Sequence, residues 1–166
     1  MDPYLRRIVS RLGSLDPIEV LASTPTALEV LVARLGDVGL DDSYAPGKWP
    51  ARTIVAHLAD TELGMAFRFR QAVTAPPDEA PHAAQPFDQD AWAARSTAAD
   101  PSLAVDAFRA LRAWNIALFT GFSLDDWTTD VFHPERGFES VDAMVRFLAG
   151  HDLNHLDQLA AIAGVS

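Results

Sequence analysis

Two histidines, His151 and His155, stand four residues apart in the stretch from Ser140 to Ala163. Read at about 100° per residue, Val141, Met144, Leu148, Leu159 and Ile162 form one apolar stripe, and both imidazoles fall in the middle of it. Side chains at i and i+4 of a helix lie roughly 5–6 Å apart at Cβ on one face. Their ring nitrogens can therefore converge on one ion. Two imidazoles turned toward a core without partners would cost on the order of a few kcal/mol. That cost vanishes if each finds a hydrogen bond on a neighbouring helix, or if both ligate a metal. A third ligand decides between these readings. His57 offers one, from a helix starting at Pro50 and running to about Thr74. Its core stripe is Ile54, Leu58, Met65, Phe69 and Ala72, with His57 at the edge, roughly 75° from its centre.

Three neutral imidazoles with an open position describe a Lewis-acid site rather than a closed structural one. Such ligands suit Zn²⁺ and Ni²⁺, and Fe²⁺ or Cu²⁺ less selectively. Asp60, one turn from His57, and Gln158, one turn from His155, are candidates for orienting an imidazole from behind. Glu62 and Arg70 point outward and are expected in solvent. His82 and His133 lie in loops and are also expected to be solvated. Competing chemistries are missing: there is no G-x-S-x-G, no H-E-x-x-H, no Gly-rich loop after a strand and no E-x-x-H pair.

The elements that must position these residues are helical. A short helix over 3–12 stops at Gly13. Asp16-Pro17 reads as N-cap and N1, and Thr24-Pro25 repeats the signal, leaving either one kinked helix or two short ones up to Gly36. Residues 37–49 read as a loop. The segment 75–87 carries four prolines and is expected to be a crossover or a lid. Asp88 to Arg95 allows a turn or two of helix with Trp92 inward. Asp100-Pro101 opens a helix to about Gly121, residues 122–139 form a loop, and Ser140 caps the last helix. No segment alternates as a strand over more than a few residues. The expected fold is all-α, a single domain over 1–166: four main helices in a bundle, extra short helices and a long Pro-rich crossover.

Composition narrows the function. At 166 residues, 49% of them hydrophobic, the chain can bury a core without staples. It has no cysteine, so disulfides, thiolate nucleophiles and Cys-bearing metal sites are excluded. A net charge of −10, with no segregated basic patch, argues against nucleic acid and anionic membrane surfaces. No stretch approaches a membrane span and the N-terminus has no secretory apolar run, which makes the cytoplasm the expected location.

Two segments carry a family resemblance: G-K-W-P-A-R-T-I-V-A-H-L-A-D-T-E over 47–62 and G-H-D-L-N-H-L-D-Q-L over 150–159. With them the chain, from about Thr24 to Ile162, resembles the DinB-like superfamily and its YfiT-like metalloenzymes. The resemblance implies a four-helix bundle, a divalent metal on His57, His151 and His155, and homodimers acting on small molecules. It also implies chemistry with a low-molecular-weight thiol cosubstrate, as in bacillithiol- or mycothiol-dependent relatives, or hydrolysis through water. A coordinated thiol would be held as thiolate. The larger mycothiol-dependent members carry an extra C-terminal domain, which is not expected in a chain ending at Ser166. The competing expectation is a non-catalytic dimeric helical module whose metal site is structural or vestigial.

Overall fold

The computed structural model describes residues 3–76, 81–96 and 98–165. Its elements are α1 (Pro3–Leu12), α2 (Pro17–Gly39), α3 (Ala51–Val73), α4 (Gln89–Ser96), α5 (Pro101–Phe119), α6 (Leu124–Thr128), β1 (Asp130–His133), β2 (Gly137–Ser140) and α7 (Val141–Ile162). The starts of the long helices follow their caps. Asp16 accepts from the amides of Ile18 and Glu19, Asp100 from Ser102, and Ser140 from Ala143.

Pro25 neither ends nor splits α2. A proline inside a helix leaves the carbonyl four residues earlier without its donor. Here that carbonyl is Leu21, and the buried Arg112 of α5 donates Nη1 to it at 2.9 Å. The interruption comes instead at Gly36, whose φ of 59° lies outside the helical region and bends the last turn.

The four long helices form a bundle in which α2 packs on α5 and α7, and α3 packs on the same two. Consecutive helices α2 and α3 therefore face each other across a diagonal, as do α5 and α7. The Pro-rich crossover joins the adjacent pair α3 and α5. It reaches its neighbours through α4, which packs on α3, and through hydrogen bonds with β1: the Ala84 amide donates to the Phe132 carbonyl at 2.8 Å, and the Phe132 amide to that of His82 at 3.0 Å. Residues 77–80 of it lie outside the described part.

The segment expected as a loop over 122–139 contains α6 and an antiparallel hairpin, with Asp130 opposite Ser140 and His133 opposite Gly137. Four-residue strands are too short to show a period of two against background. Trp92 is not inward either; it is 38% exposed and lies against Phe87.

The core divides along the bundle. One cluster gathers Leu21, Met65, Phe69, Phe119 and Leu148, the other Leu28, Ile54, Leu58, Phe108 and Leu159. Between them on three helices lie Glu62, Arg112 and Asp152, all buried. At one face α1 crosses α7 so closely that a Cβ on Gly150 would lie 2.2 Å from the Ile8 carbonyl oxygen. This contact seats α1, and with it Tyr4, beside the histidines of α7. Among the described residues no helix is long and apolar enough to cross a membrane.

Candidate metal centre

The bundle brings together the three histidines that the helical spacing singled out. His57 of α3 and His151 and His155 of α7 are 3%, 4% and 6% exposed. His57 Nε2 lies 3.0 Å from His151 Nε2, and His155 Nε2 lies 3.1 Å from the same atom. All three potential ligand atoms fall within 4.8 Å of one another, and no other such group of His, Asp or Glu occurs among the described residues.

Hydrogen bonding alone does not satisfy this arrangement. The Gln158 carbonyl oxygen lies 2.8 Å from His155 Nδ1, so that nitrogen carries the ring proton and Nε2 presents a lone pair. His151 Nε2 faces two other ring nitrogens at once. A single proton cannot bond well to both, so at least one contact is left without a good hydrogen bond. A cation resolves the conflict. Nitrogens about 2.0–2.1 Å from one ion, at angles between octahedral and tetrahedral, stand about 2.8–3.4 Å apart. The observed 3.0 and 3.1 Å fit that range.

The electrostatics favour neutral rings at His57 and His155. Burial and the nearby His151 push His57 down to about 3, and burial with both other histidines holds His155 well below the ordinary imidazole value. Neutral imidazole is the ligating form. His151 Nδ1 and Asp152 Oδ1 are both buried without a hydrogen bond and lie 3.9 Å apart, too far for one but close enough for the carboxylate to attract the Nδ1 proton. Trp49 and His57 pack edge to face, with centroids 5.0 Å apart.

Of the two candidates for orienting the imidazoles, Gln158 touches His155. Asp60 does not serve His57: its carboxylate turns to α4 and accepts from Ser96 Oγ at 3.2 Å. Nearer His57 is Thr61, whose hydroxyl is 3.5 Å from Nε2.

The sequence reading missed the layer behind His151. Glu62, expected in solvent, is fully buried and forms a two-pronged pair with Arg112, Nε to Oε1 at 3.0 Å and Nη2 to Oε2 at 2.7 Å. Arg112 Nη1 reaches Asp152 Oδ2 at 2.7 Å, and Asn115 donates to Glu62 at 2.7 Å. Arg70, also expected outward, donates to Asn115 Oδ1 at 2.8 Å. Burial pushes the Asp152 carboxyl up, but Arg112 and the neighbouring His151 together outweigh it and hold it below the ordinary carboxylate range. Arg112 stays protonated because Asp152 and Glu62 outweigh its own burial. His133, expected to be solvated, is 2% exposed.

A pocket of about 330 Å³ opens on the His57 and His151 side of the triad, between α3, the end of the crossover and the hairpin. A second, of similar size, reaches His155 from beside Lys48 and Trp49; Tyr4 and Gln89 border both.

Comparison with known proteins agrees with this geometry. The sequence profile of the DinB superfamily matches residues 21–159. A Bacillus pumilus protein named "putative metal-dependent hydrolase" is 30% identical over 147 residues, covering 86% of this chain and 82% of its own. "Putative metal-dependent hydrolase YfiT" of Bacillus subtilis is 28% identical over 155 residues, covering 90% and 85%. The solved structure of that YfiT, described as "a probable metal-dependent hydrolase with an unusual four-helix bundle topology", superimposes with a TM-score of 0.81 at 27% identity, over 90% of this chain and 87% of that one. A mycothiol-dependent maleylpyruvate isomerase superimposes with a TM-score of 0.70 over 86% of this chain and 59% of that one; at 14% identity this is a likeness of fold.

Proposed function

The chain belongs to the DinB superfamily, and from that premise we propose that it is a metal-dependent enzyme in which His57, His151 and His155 hold one divalent cation, zinc or nickel. The observation that carries this is the convergence of three buried Nε2 atoms at 3.0 and 3.1 Å, which hydrogen bonds among neutral rings leave unsatisfied. When bound, a cation on three neutral imidazoles supplies a Lewis acid that ionises a coordinated thiol or water near neutral pH.

The chain's own residues set the rest. Gln158 keeps the proton of His155 on Nδ1 and its lone pair inward. Asp152, fixed by Arg112, draws the His151 proton to the same outer nitrogen. Trp49 and Phe147 flank the rings of His57 and His151 and limit water there. In the adjoining pocket, burial together with Arg136 and Arg68 keeps His133 below the ordinary imidazole value, so it serves as a neutral donor rather than as an acid near pH 7. Asp88 is committed to the first amides of α4. The carboxylate left at the pocket is Glu135, exposed at the hairpin turn, and a nucleophile ionised by the cation itself would need no side chain to take its proton. This supports transfer from a low-molecular-weight thiol to an electrophile. Hydrolysis is the second reading, favoured by the names of the relatives.

Purified untagged protein, loaded with zinc or nickel, is assayed with bacillithiol, mycothiol and glutathione against monochlorobimane. Metal-dependent conjugation with one thiol, lost in His151→Ala, is the expected result. Inactivity with every thiol, alongside metal-dependent cleavage of ester or amide substrates, would transfer the assignment to hydrolysis. Inactivity in both would leave the non-catalytic module. The same reading carries a small-molecule substrate and a homodimer, the latter checked by sedimentation.

A further inference from the structure

Four charged side chains are buried among the described residues: Glu62, Arg68, Arg112 and Asp152. Arg112 answers both carboxylates. Arg68, 7% exposed, has no carboxylate within ion-pair distance among the described residues; Nη2 donates to the Gln85 carbonyl at 2.8 Å and Nη1 faces Met65 Sδ at 3.8 Å. A buried guanidinium without a counter-charge is costly, and the cost is removed by an anion. Arg68 lines the pocket that ends at His57 and His151.

Two further donors face that pocket. His133 accepts the Glu135 amide at Nδ1, 3.2 Å, which leaves its proton on Nε2. Arg136 spends Nε and Nη2 on Glu139, at 2.7 Å each, and stands near enough to Arg68 to disfavour its charge. The acidic groups on this side are Glu139, held by Arg136; Asp88, which caps α4; and Glu135, exposed at the hairpin turn. Glu139 attracts Arg68 from beyond ion-pair distance but is already paired with Arg136, and none of the three forms an ion pair with Arg68.

We propose that this pocket takes an elongated substrate whose anionic headgroup, a carboxylate or phosphate, is bound by Arg68 and His133 while its reactive end lies against His57 and His151. The placement of the reactive end rests on the triad reading above; the anion site does not. His57, Thr61, Met65 and Arg68 follow one another along α3 about a turn apart, and all line the pocket. Eleven residues span about 16 Å along the axis, and the Arg68 side chain leans back toward the helix N-terminus, so headgroup and triad stand on the order of 10 Å apart. Arg68 is thus a ruler for substrate length as well as for charge.

The test is titration of metal-free protein, in chelator, with hexanoate, hexyl phosphate and neutral hexanamide. It is followed through the arginine Nε–H and Glu135 amide resonances. The expected result is that one of the two anions binds at least tenfold more tightly than hexanamide and shifts Arg68 and Glu135; the better anion identifies the headgroup. Arg68→Gln removes the preference. His133→Phe, which keeps the guanidinium, weakens it about fivefold and serves if Arg68→Gln does not fold. Equal binding of hexanamide, no binding of either anion at 20 mM, or an undiminished preference in His133→Phe together with a folded Arg68→Gln overturns the proposal. Metal uptake is measured separately. Anion binding without metal uptake refutes the triad reading alone, and metal uptake without anion preference refutes this site alone.

Discussion

Acidification should destabilise the metal-free protein through the histidine cluster. In the unfolded chain an imidazole takes up its proton near pH 6.5. In the fold, burial and His151 hold His57 down to about 3. Between those values the unfolded chain binds a proton that the folded chain refuses. Stability from this group is therefore present above pH 6.5 and is lost as pH falls toward 3. From pH 7 to pH 5 the loss is about 2 kcal/mol for His57 alone, at about 1.4 kcal/mol per unit. His155, held well below the ordinary value, acts in the same direction. Asp152, depressed by Arg112, adds its loss only as pH drops below the ordinary carboxyl value, while Asp60, raised by burial, works the opposite way. Urea unfolding in chelator at both pH values reads the sum. His57→Gln isolates the one group. With a slope of about 2 kcal/mol/M, the wild-type midpoint should fall by about 1 M more than that of the variant. Equal falls in the two proteins would refute the claim that His57 is buried as a neutral ring beside His151.

Arg112→Met leaves two buried carboxylates unpaired and frees the Leu21 carbonyl again, so a loss of about 3–5 kcal/mol is expected by urea unfolding. Gly150→Ala forces α1 off α7, because its Cβ has no room beside Ile8; thermal unfolding should show a loss of about 1–3 kcal/mol or more. Gln158→Leu, which removes the partner of His155 Nδ1, should weaken zinc binding about 10–100-fold in competition with a chelating dye, while Asp60→Asn should leave it unchanged.

The sequence was most legible where one local signal decides the outcome. Asp16-Pro17, Asp100-Pro101 and Ser140 mark helix starts without reference to anything distant. Four-residue spacing on a helix places His151 and His155 together, whatever packs against them. It was illegible where partners come from remote segments. A helical wheel puts Glu62 away from the stripe of α3, but α3 is covered by α4, α5, α7 and β1, so little of its first half meets solvent. Nothing local pairs Glu62 with Arg112, fifty residues on. The same arginine rescues Pro25, a helix breaker by every local rule. His133 sits on a strand too short to register, and its burial depends on the crossover pinned beside β1. Asp60 was placed one turn from His57 correctly, yet Ser96 of α4 claims its carboxylate.

The proposed function requires three imidazoles from two helices to bind one ion. X-ray absorption on untagged, zinc-loaded protein, together with metal content, tests it most directly. One zinc per chain with three imidazole nitrogens at about 2.0–2.1 Å is expected, falling to two imidazoles and weak retention in His155→Ala. A zinc content near zero after reconstitution, or a coordination shell unchanged by His155→Ala, would contradict it.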